Sequence, residues 1–148
     1  MHAFSSHNEA ALSEYQALEP FFTDNPYFLF NYAIALSDKL LHEESLKVAL
    51  RCRNYWADYD LECLLGSLYC HLGKDEEAIK HYYQASMMCP SRFVPLYELF
   101  YLYKERGDKP QMKKLAEEII GKTIKVESSI VLKIREEIQA EYLVMNEE

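Results

Sequence analysis

One stretch constrains this chain more than any other. Counting from Gly66, an aromatic follows three residues on (Tyr69), glycine seven on (Gly73), alanine twelve on (Ala78), a second ring sixteen on (Tyr82), alanine nineteen on (Ala85) and proline twenty-four on (Pro90). Each step has a physical job in a pair of antiparallel helices. Gly66 and Ala85 are small where two helices cross closely, and Tyr69 and Tyr82 fill the space beside that crossing. Gly73 ends the first helix in a left-handed cap, Ala78 lets the second helix approach, and Pro90 blocks its continuation.

The pattern recurs. Thirty-three residues earlier, Ala33, Leu36, Ser45, Ala49 and Cys52 stand where Gly66, Tyr69, Ala78, Tyr82 and Ala85 stand. Thirty-four residues later the same places hold Phe100, Tyr103, Met112, Ala116 and Ile119, with Gly107 on Gly73. This ordered spacing resembles the tetratricopeptide repeat, whose period is about 34 residues. The resemblance implies an all-α fold, a right-handed α-α superhelix of helical hairpins. The middle copy is near-consensus and its neighbours diverge, as the end repeats of an array do.

Punctuation divides the chain the same way. Asn25-Pro26 reads as an N-cap followed by proline in the first turn, and Gly107-Asp108-Lys109-Pro110 as a C-cap followed by a new start. The expected helices are 8–19, 26–40, 43–54, 59–72, 75–88, 94–106, 109–121 and 128–145. The expected organisation is one domain over 1–148: a partial N-terminal repeat at 8–24, repeats at 26–58, 59–92 and 93–126, and a capping helix at 128–145. That last helix carries Ile130, Val131, Ile134, Ile138 and Tyr142 on one face, which suits laying it across the exposed end of the array. The β-prone segment 121–127 has nothing to pair with and reads as an extended linker.

Composition narrows the function. The 24 acidic residues outnumber 16 basic ones, a net charge of −8, and no Lys/Arg cluster exists to neutralise phosphates, so nucleic acid is a poor partner. The N-terminus lacks a secretory signal, and the apolar stretch 25–37 is shorter than the ~20 residues a bilayer span needs. A soluble chain is expected. Cys52, Cys63, Cys70 and Cys89 contain no CxxC pair. Cys63 and Cys70 lie about 10.5 Å apart along one helix at ~1.5 Å per residue, beyond the ~7 Å reach of a disulfide. They read as small buried hydrophobes in a reducing compartment.

One segment is more distinctive. Met88-Cys89-Pro90-Ser91-Arg92-Phe93-Val94-Pro95-Leu96-Tyr97-Glu98-Leu99-Phe100 is followed by Leu102-Tyr103, Gly107-Asp108, Ile119-Ile120, Ile124-Lys125-Val126-Glu127-Ser128 and a terminal helix. Its order resembles the soluble tetratricopeptide tail that follows the membrane spans of O-antigen ligase-like proteins of Bacteroides-type bacteria, over about Asn25 to Glu141. The resemblance implies a tail on the cytoplasmic side, tethered to the bacterial inner membrane in a longer protein of lipopolysaccharide biosynthesis. The ligase chemistry of such a parent lies in its membrane spans and their periplasmic loop, outside this chain. A free-standing soluble adaptor or scaffold is the alternative.

Nothing in the sequence assembles chemistry of its own. His2 and His7 lie at the N-terminal end, and His42, His71 and His81 in three separate elements. Cys63, Cys70 and His71 are too few for a metal site, and neither cysteine nor histidine is flanked by a loop that could hold an oxyanion. The acidic runs Glu43-Glu44, Asp75-Glu76-Glu77 and Glu117-Glu118 sit at helix starts or on outer faces, where helix dipoles and water explain them. No catalytic, cofactor-binding or metal-binding residue is expected. Arg92 has two readings, contact with helix-end carbonyls or with an acidic partner.

What remains is a binding surface. In tetratricopeptide arrays the first helix of each hairpin lines the inner groove. Beside the packing residues, the middle repeat places Cys63, Ser67, Cys70 and His71 there, and the repeat offsets add Phe30 and Ile34 on one side and Tyr97, Tyr101 and Lys104 on the other. Relatives that clamp acidic C-termini use Lys, Arg and Asn on this face. Here Phe30, Ile34, Leu64, Val94 and Glu98 occupy the matching positions. The expected occupant is an apolar helix or extended segment of a partner, a neighbouring subunit or the same protein, the chain's own N-terminal segment included, with Tyr97 and Tyr101 as anchors.

Overall fold

Eight α-helices account for nearly all of residues 2–147, which a computed structural model of the chain describes, with side chains from residue 10 onward. They are α1 (His2–Leu18), α2 (Pro26–Asp38), α3 (His42–Arg53), α4 (Tyr59–His71), α5 (Asp75–Met88), α6 (Val94–Arg106), α7 (Lys109–Gly121) and α8 (Ser129–Glu147), with a 3-10 turn at Glu19–Phe21 after α1. No strand occurs among the described residues, and 122–128 is irregular chain. The punctuation at 25–26 and 107–110 works as read, and Asp58 adds an N-cap that was not anticipated. Asn25 Oδ1 accepts from Phe28 N at 3.1 Å, Asp58 Oδ1 from Leu61 N at 2.9 Å and Asp108 Oδ1 from Gln111 N at 3.2 Å, closing the starts of α2, α4 and α7. Helix α1 departs from expectation, beginning at His2 instead of residue 8.

Three hairpin turns close by one device. After α4, Gly73 sits at φ 74°, its N–H donates to Cys70 O at 3.1 Å, and Lys74 N donates to Tyr69 O at 2.8 Å. After α6, Gly107 sits at φ 70° with the matching bonds to Lys104 O and Tyr103 O, both 3.0 Å. After α2 the pair recurs, from Leu40 N to Ser37 O at 2.9 Å and from Leu41 N to Leu36 O at 3.0 Å. The residue in the left-handed position there is Leu40, at φ 62°. A side chain in that region costs roughly 1–2 kcal/mol, so the turn is imposed by its two hydrogen bonds and not by the preference of its residue.

The chain divides into two compact units, 1–78 and 79–148, the boundary falling inside α5. In the first, Leu29, Ala33 and Leu36 of α2 join Val48 and Ala49 of α3 and Leu61, Leu65 and Leu68 of α4 in one core. Ala33 and Ala49 are fully buried, and so is Ser45, whose hydroxyl donates to Ala33 O at 2.6 Å. A serine can thus stand at an alanine position without leaving a buried donor unmade, a loss worth ~1–3 kcal/mol. Helix α1 packs on α2 through Tyr15, whose ring lies 5.6 Å from Phe28 and 5.7 Å from Tyr32. Glu62 of α4 is wholly buried and pairs with Arg53 Nε at 3.0 Å.

In the second unit Phe100 stands at the repeat position of Gly66 and is also fully buried. The ring on α6 is answered by fully buried Ala116 on α7, at the position of Tyr82, so bulk has changed helices while dense packing is kept. Helix α8 packs against α7 and buries Ile134 and Ile138. Ile130, expected on the same face, is exposed, because it lies in the first turn of α8 at the edge of a cleft with Val94 and Val126. Tyr69 is half-buried where full burial was expected, while Gly66, Ala78, Tyr82 and Ala85 are buried.

Candidate functional site

The residues expected on the inner stripe have different surroundings in the two units. In the first, Phe30 and Ile34 of α2 are half-buried, with one side of each against the core and the other open. Cys63, Ser67 and Cys70 of α4 are half-buried as well. Helices α2 and α4 are neighbours, so these residues form a partly apolar strip. His71 is exposed but turned to α3, where its ring stacks on His42 with centroids 4.4 Å apart, and its Nδ1 lies 2.8 Å from Ser67 O.

In the second unit the stripe is engaged from within the chain. Tyr97 and Tyr101 of α6 meet edge to face with centroids 4.9 Å apart, and both hydroxyls donate to the Glu137 carboxylate of α8, at 3.0 and 2.5 Å. Lys104 pairs with Glu141, one helical turn beyond Glu137, at 2.8 Å and lies over the Tyr101 ring at 5.5 Å. Burial, and after it the hydrogen bonds to Glu137, raise both phenols above the ordinary tyrosine range. Glu137 and Glu141 were not among the expected site residues. The signal for their role was available in the matched spacing of Tyr97, Tyr101 and Lys104 against two acids four residues apart.

A feature not expected from sequence lies where α2 begins, α3 ends and α4 begins. Pro26, Tyr27, Phe30, Asn31, Cys52, Trp56, Asp58 and Leu61 line a pocket of about 270 Å³. Leu61 and Cys52 are buried at its base, and the Tyr27 and Trp56 rings stand at 89° with centroids 4.8 Å apart, both open to solvent. The loop carrying Trp56 is held. Tyr55 and Trp56 N each donate to Cys52 O at 3.0 Å, and Tyr55 OH donates to Asp24 Oδ1 at 2.8 Å. Arg51 of α3 reaches Glu19 Oε1 at 2.7 Å, tying the same end to the turn before α2. Burial, followed by the negative charge of Asp58, pushes the Cys52 thiol up.

No protein-family model and no curated protein matches the sequence. Solved structures do, two crystal structures of MamA among them. A crystal structure of MamA superposes with a TM-score of 0.76 at 15% identity, covering 98% of this chain and 90% of that one. A second MamA crystal structure gives 0.75 at 15% identity, covering 97% and 82%. The fold is the tetratricopeptide-type α-α superhelix.

Within that fold the remaining chemistry-bearing residues are dispersed. Among the described residues, no group of three or more His, Cys, Asp or Glu is placed to hold a metal ion, and no disulfide joins the four cysteines. No described helix is long and apolar enough to cross a membrane. Arg92 is exposed at the cleft lined by Val94, Lys125 and Val126. Two further cations reach this corner. Lys122 Nζ lies 6.0 Å and the Arg135 guanidinium 5.8 Å from the centre of the buried Phe93 ring, and Arg135 donates to Lys122 O.

Proposed function

We propose that the chain is a non-catalytic protein–protein interaction module whose groove is the inner stripe of the first unit: Phe30, Ile34, Cys63, Ser67, Cys70 and the adjoining His71. The observation that carries this reading is the contrast along the stripe. Tyr97, Tyr101 and Lys104 are hydrogen-bonded to α8, while Phe30 and Ile34 present half-buried apolar surface to solvent. A partner reaching the second unit's stripe would have to displace Glu137 and Glu141. An apolar segment can meet the first unit's stripe directly, by helix-in-groove or extended-chain contact. The reading needs no cofactor.

The variant Ile34→Glu with Ser67→Glu places charge at two half-buried positions of the stripe. It is expected to keep the helical circular dichroism and to abolish partner recovery by affinity capture, or self-association in sedimentation. Lys80→Glu on the exposed side of α5 is the control. If Lys80→Glu abolishes binding and the stripe variant does not, the working surface is the outer one.

We further propose that the module is the tail of an O-antigen ligase-like surface-polysaccharide protein, on the cytoplasmic side of the inner membrane. The residue order from Met88 to Ser128 supports this. The genomic reading frame tests it: apolar spans of ~20 residues upstream and in frame are expected. A stop codon and ribosome-binding site immediately before Met1 would instead make the chain a free-standing adaptor.

A further inference from the structure

The aromatic pocket at the start of α2 has a lining that selects for charge. Its walls are rings and aliphatic surface, and Asp58 is the one ionised group among the residues that form it. Three helix ends meet there, so the polar backbone must be accounted for before a ligand sign is chosen. The start of α2 has no N–H at Pro26, and Phe28 N is held by Asn25. The start of α4 has Leu61 N held by Asp58 itself. Two of the helix-start donors that could draw an anion are therefore closed and a third is absent. The cationic side chains of the last turn of α3 are also committed, Arg51 to Glu19 at 2.7 Å and Arg53 to Glu62 at 3.0 Å. Asp58 uses Oδ1 as the cap and has a second oxygen for another donor. Asn31 gives its Nδ2 to Tyr27 O at 2.9 Å, leaving its Oδ1 as an acceptor on the same wall.

The Tyr27 and Trp56 rings meet edge to face and form a corner, each still partly open to solvent. Faces of tyrosine and tryptophan attract cations, tryptophan most strongly, and gain when water is excluded. A volume of about 270 Å³ suits a side chain and not a whole metabolite. The loop that carries Trp56 is pinned through Tyr55 to Asp24, so the corner exists before a ligand arrives.

We propose that this pocket receives a basic side chain, lysine or arginine, of a partner polypeptide lying along the α2 and α4 stripe. The aliphatic stem rests on Phe30 and Leu61, and the cationic head sits against the exposed parts of the Tyr27 and Trp56 rings, beside the Asp58 carboxylate. The proposal rests on the groove reading above and names the chemistry by which the groove selects its partner. A chain with net charge −8 draws basic partners at long range, and the pocket supplies the short-range check.

Trp56 is the sole tryptophan, so its fluorescence reports on this site alone. The full chain is titrated with Nα-acetyl-lysine amide and Nα-acetyl-arginine amide, and with Nα,Nε-diacetyl-lysine amide and Nα-acetyl-glutamate amide as neutral and anionic counterparts. A saturable change is expected with the two cations and none with the other two. Asp58→Asn keeps an N-cap of equal quality and removes only the charge, so it is expected to weaken cation binding about tenfold with an unchanged melting curve. Tyr27→Leu is expected to weaken it further. An equal response to diacetyl-lysine, wild-type affinity in Asp58→Asn, or no saturable response to either cation overturns the proposal. Self-association abolished by Asp58→Asn would make a second copy the occupant and overturn assignment to a different protein. The groove reading is scored separately by the Ile34→Glu with Ser67→Glu variant, which leaves the pocket lining intact. Partner recovery lost in that variant but kept in Asp58→Asn sinks the pocket and spares the groove. Cation binding by the pocket with undiminished recovery in the stripe variant does the reverse.

Discussion

The two halves of this chain use one repeat to opposite ends. In the first unit the stripe of α2 and α4 stays partly open, and Tyr15 of α1 packs against Phe28 and Tyr32. In the second, α8 turns two carboxylates onto Tyr97, Tyr101 and Lys104. Repeat position therefore identifies a face but not its availability. A capping helix is usually credited with covering apolar surface. Here it also bonds the polar tips of Tyr97, Tyr101 and Lys104, so the stripe of the second unit is closed from within the chain.

The largest expected effect tests that closure. Ile138 is fully buried on α8, and Ile138→Ala is expected to cost about 2–5 kcal/mol in chemical denaturation. Hydrogen exchange should quicken in α8 and leave α2 protected. Equal loss of protection in α2 would show that the units unfold as one and would break the comparison.

Gly66→Leu probes the first unit in the same way. Gly66 is buried, and overpacking it is expected to cost about 1–3 kcal/mol, read as a lower melting temperature. An unchanged melt would mean that the helix crossing is not where the repeat register puts it.

The caps sharpen the contrast at smaller energy and with a change of sign. Leu40 occupies the left-handed position that Gly73 and Gly107 occupy, and its side chain is 74% exposed, so Leu40→Gly loses little packing. It is expected to stabilise by up to about 1 kcal/mol, whereas Gly107→Ala destabilises by about the same amount. If both substitutions destabilise, contacts of the Leu40 side chain outweigh its backbone strain.

The smallest effect is electrostatic. The Tyr97 and Tyr101 phenols are raised first by burial and then by Glu137. A group raised in the folded state holds its proton longer than it does when unfolded. Its contribution to stability is thus complete below the ordinary tyrosine value near 10 and is lost as pH climbs through the folded value. Glu137→Gln is expected to bring part of the phenolate absorbance rise to lower pH and to leave a residual shift due to burial. An unaltered titration would mean that the two hydroxyls do not depend on Glu137.

How much of this could be read from residues alone follows from how local each feature is. The N-caps at Asn25, Asp58 and Asp108 need only a residue and its neighbours three positions on. The glycine caps were legible and the Leu40 cap was not, because leucine has no preference for the conformation that its turn imposes. Phe30 was placed on the inner stripe by a repeat offset, and the structure adds Tyr27, Trp56 and Asp58 around it. Those three come from two helix starts and a loop, and no spacing rule joins them.

The sequence by itself determined the hairpins, their register and the small residues at their crossings, because a period of about 34 residues repeats the same short-range sterics. It also determined the acidic balance that makes a basic partner reasonable. Only the tertiary structure decided which part of the stripe remains open. That outcome depends on where α8 comes to rest, which brings Glu137 to Tyr97 and Tyr101 across separations of 40 and 36 residues. Local propensity carries no information about such a meeting, since a glutamate on an amphipathic helix is equally stable facing water. Only the packing of Ile134 and Ile138 turns it inward.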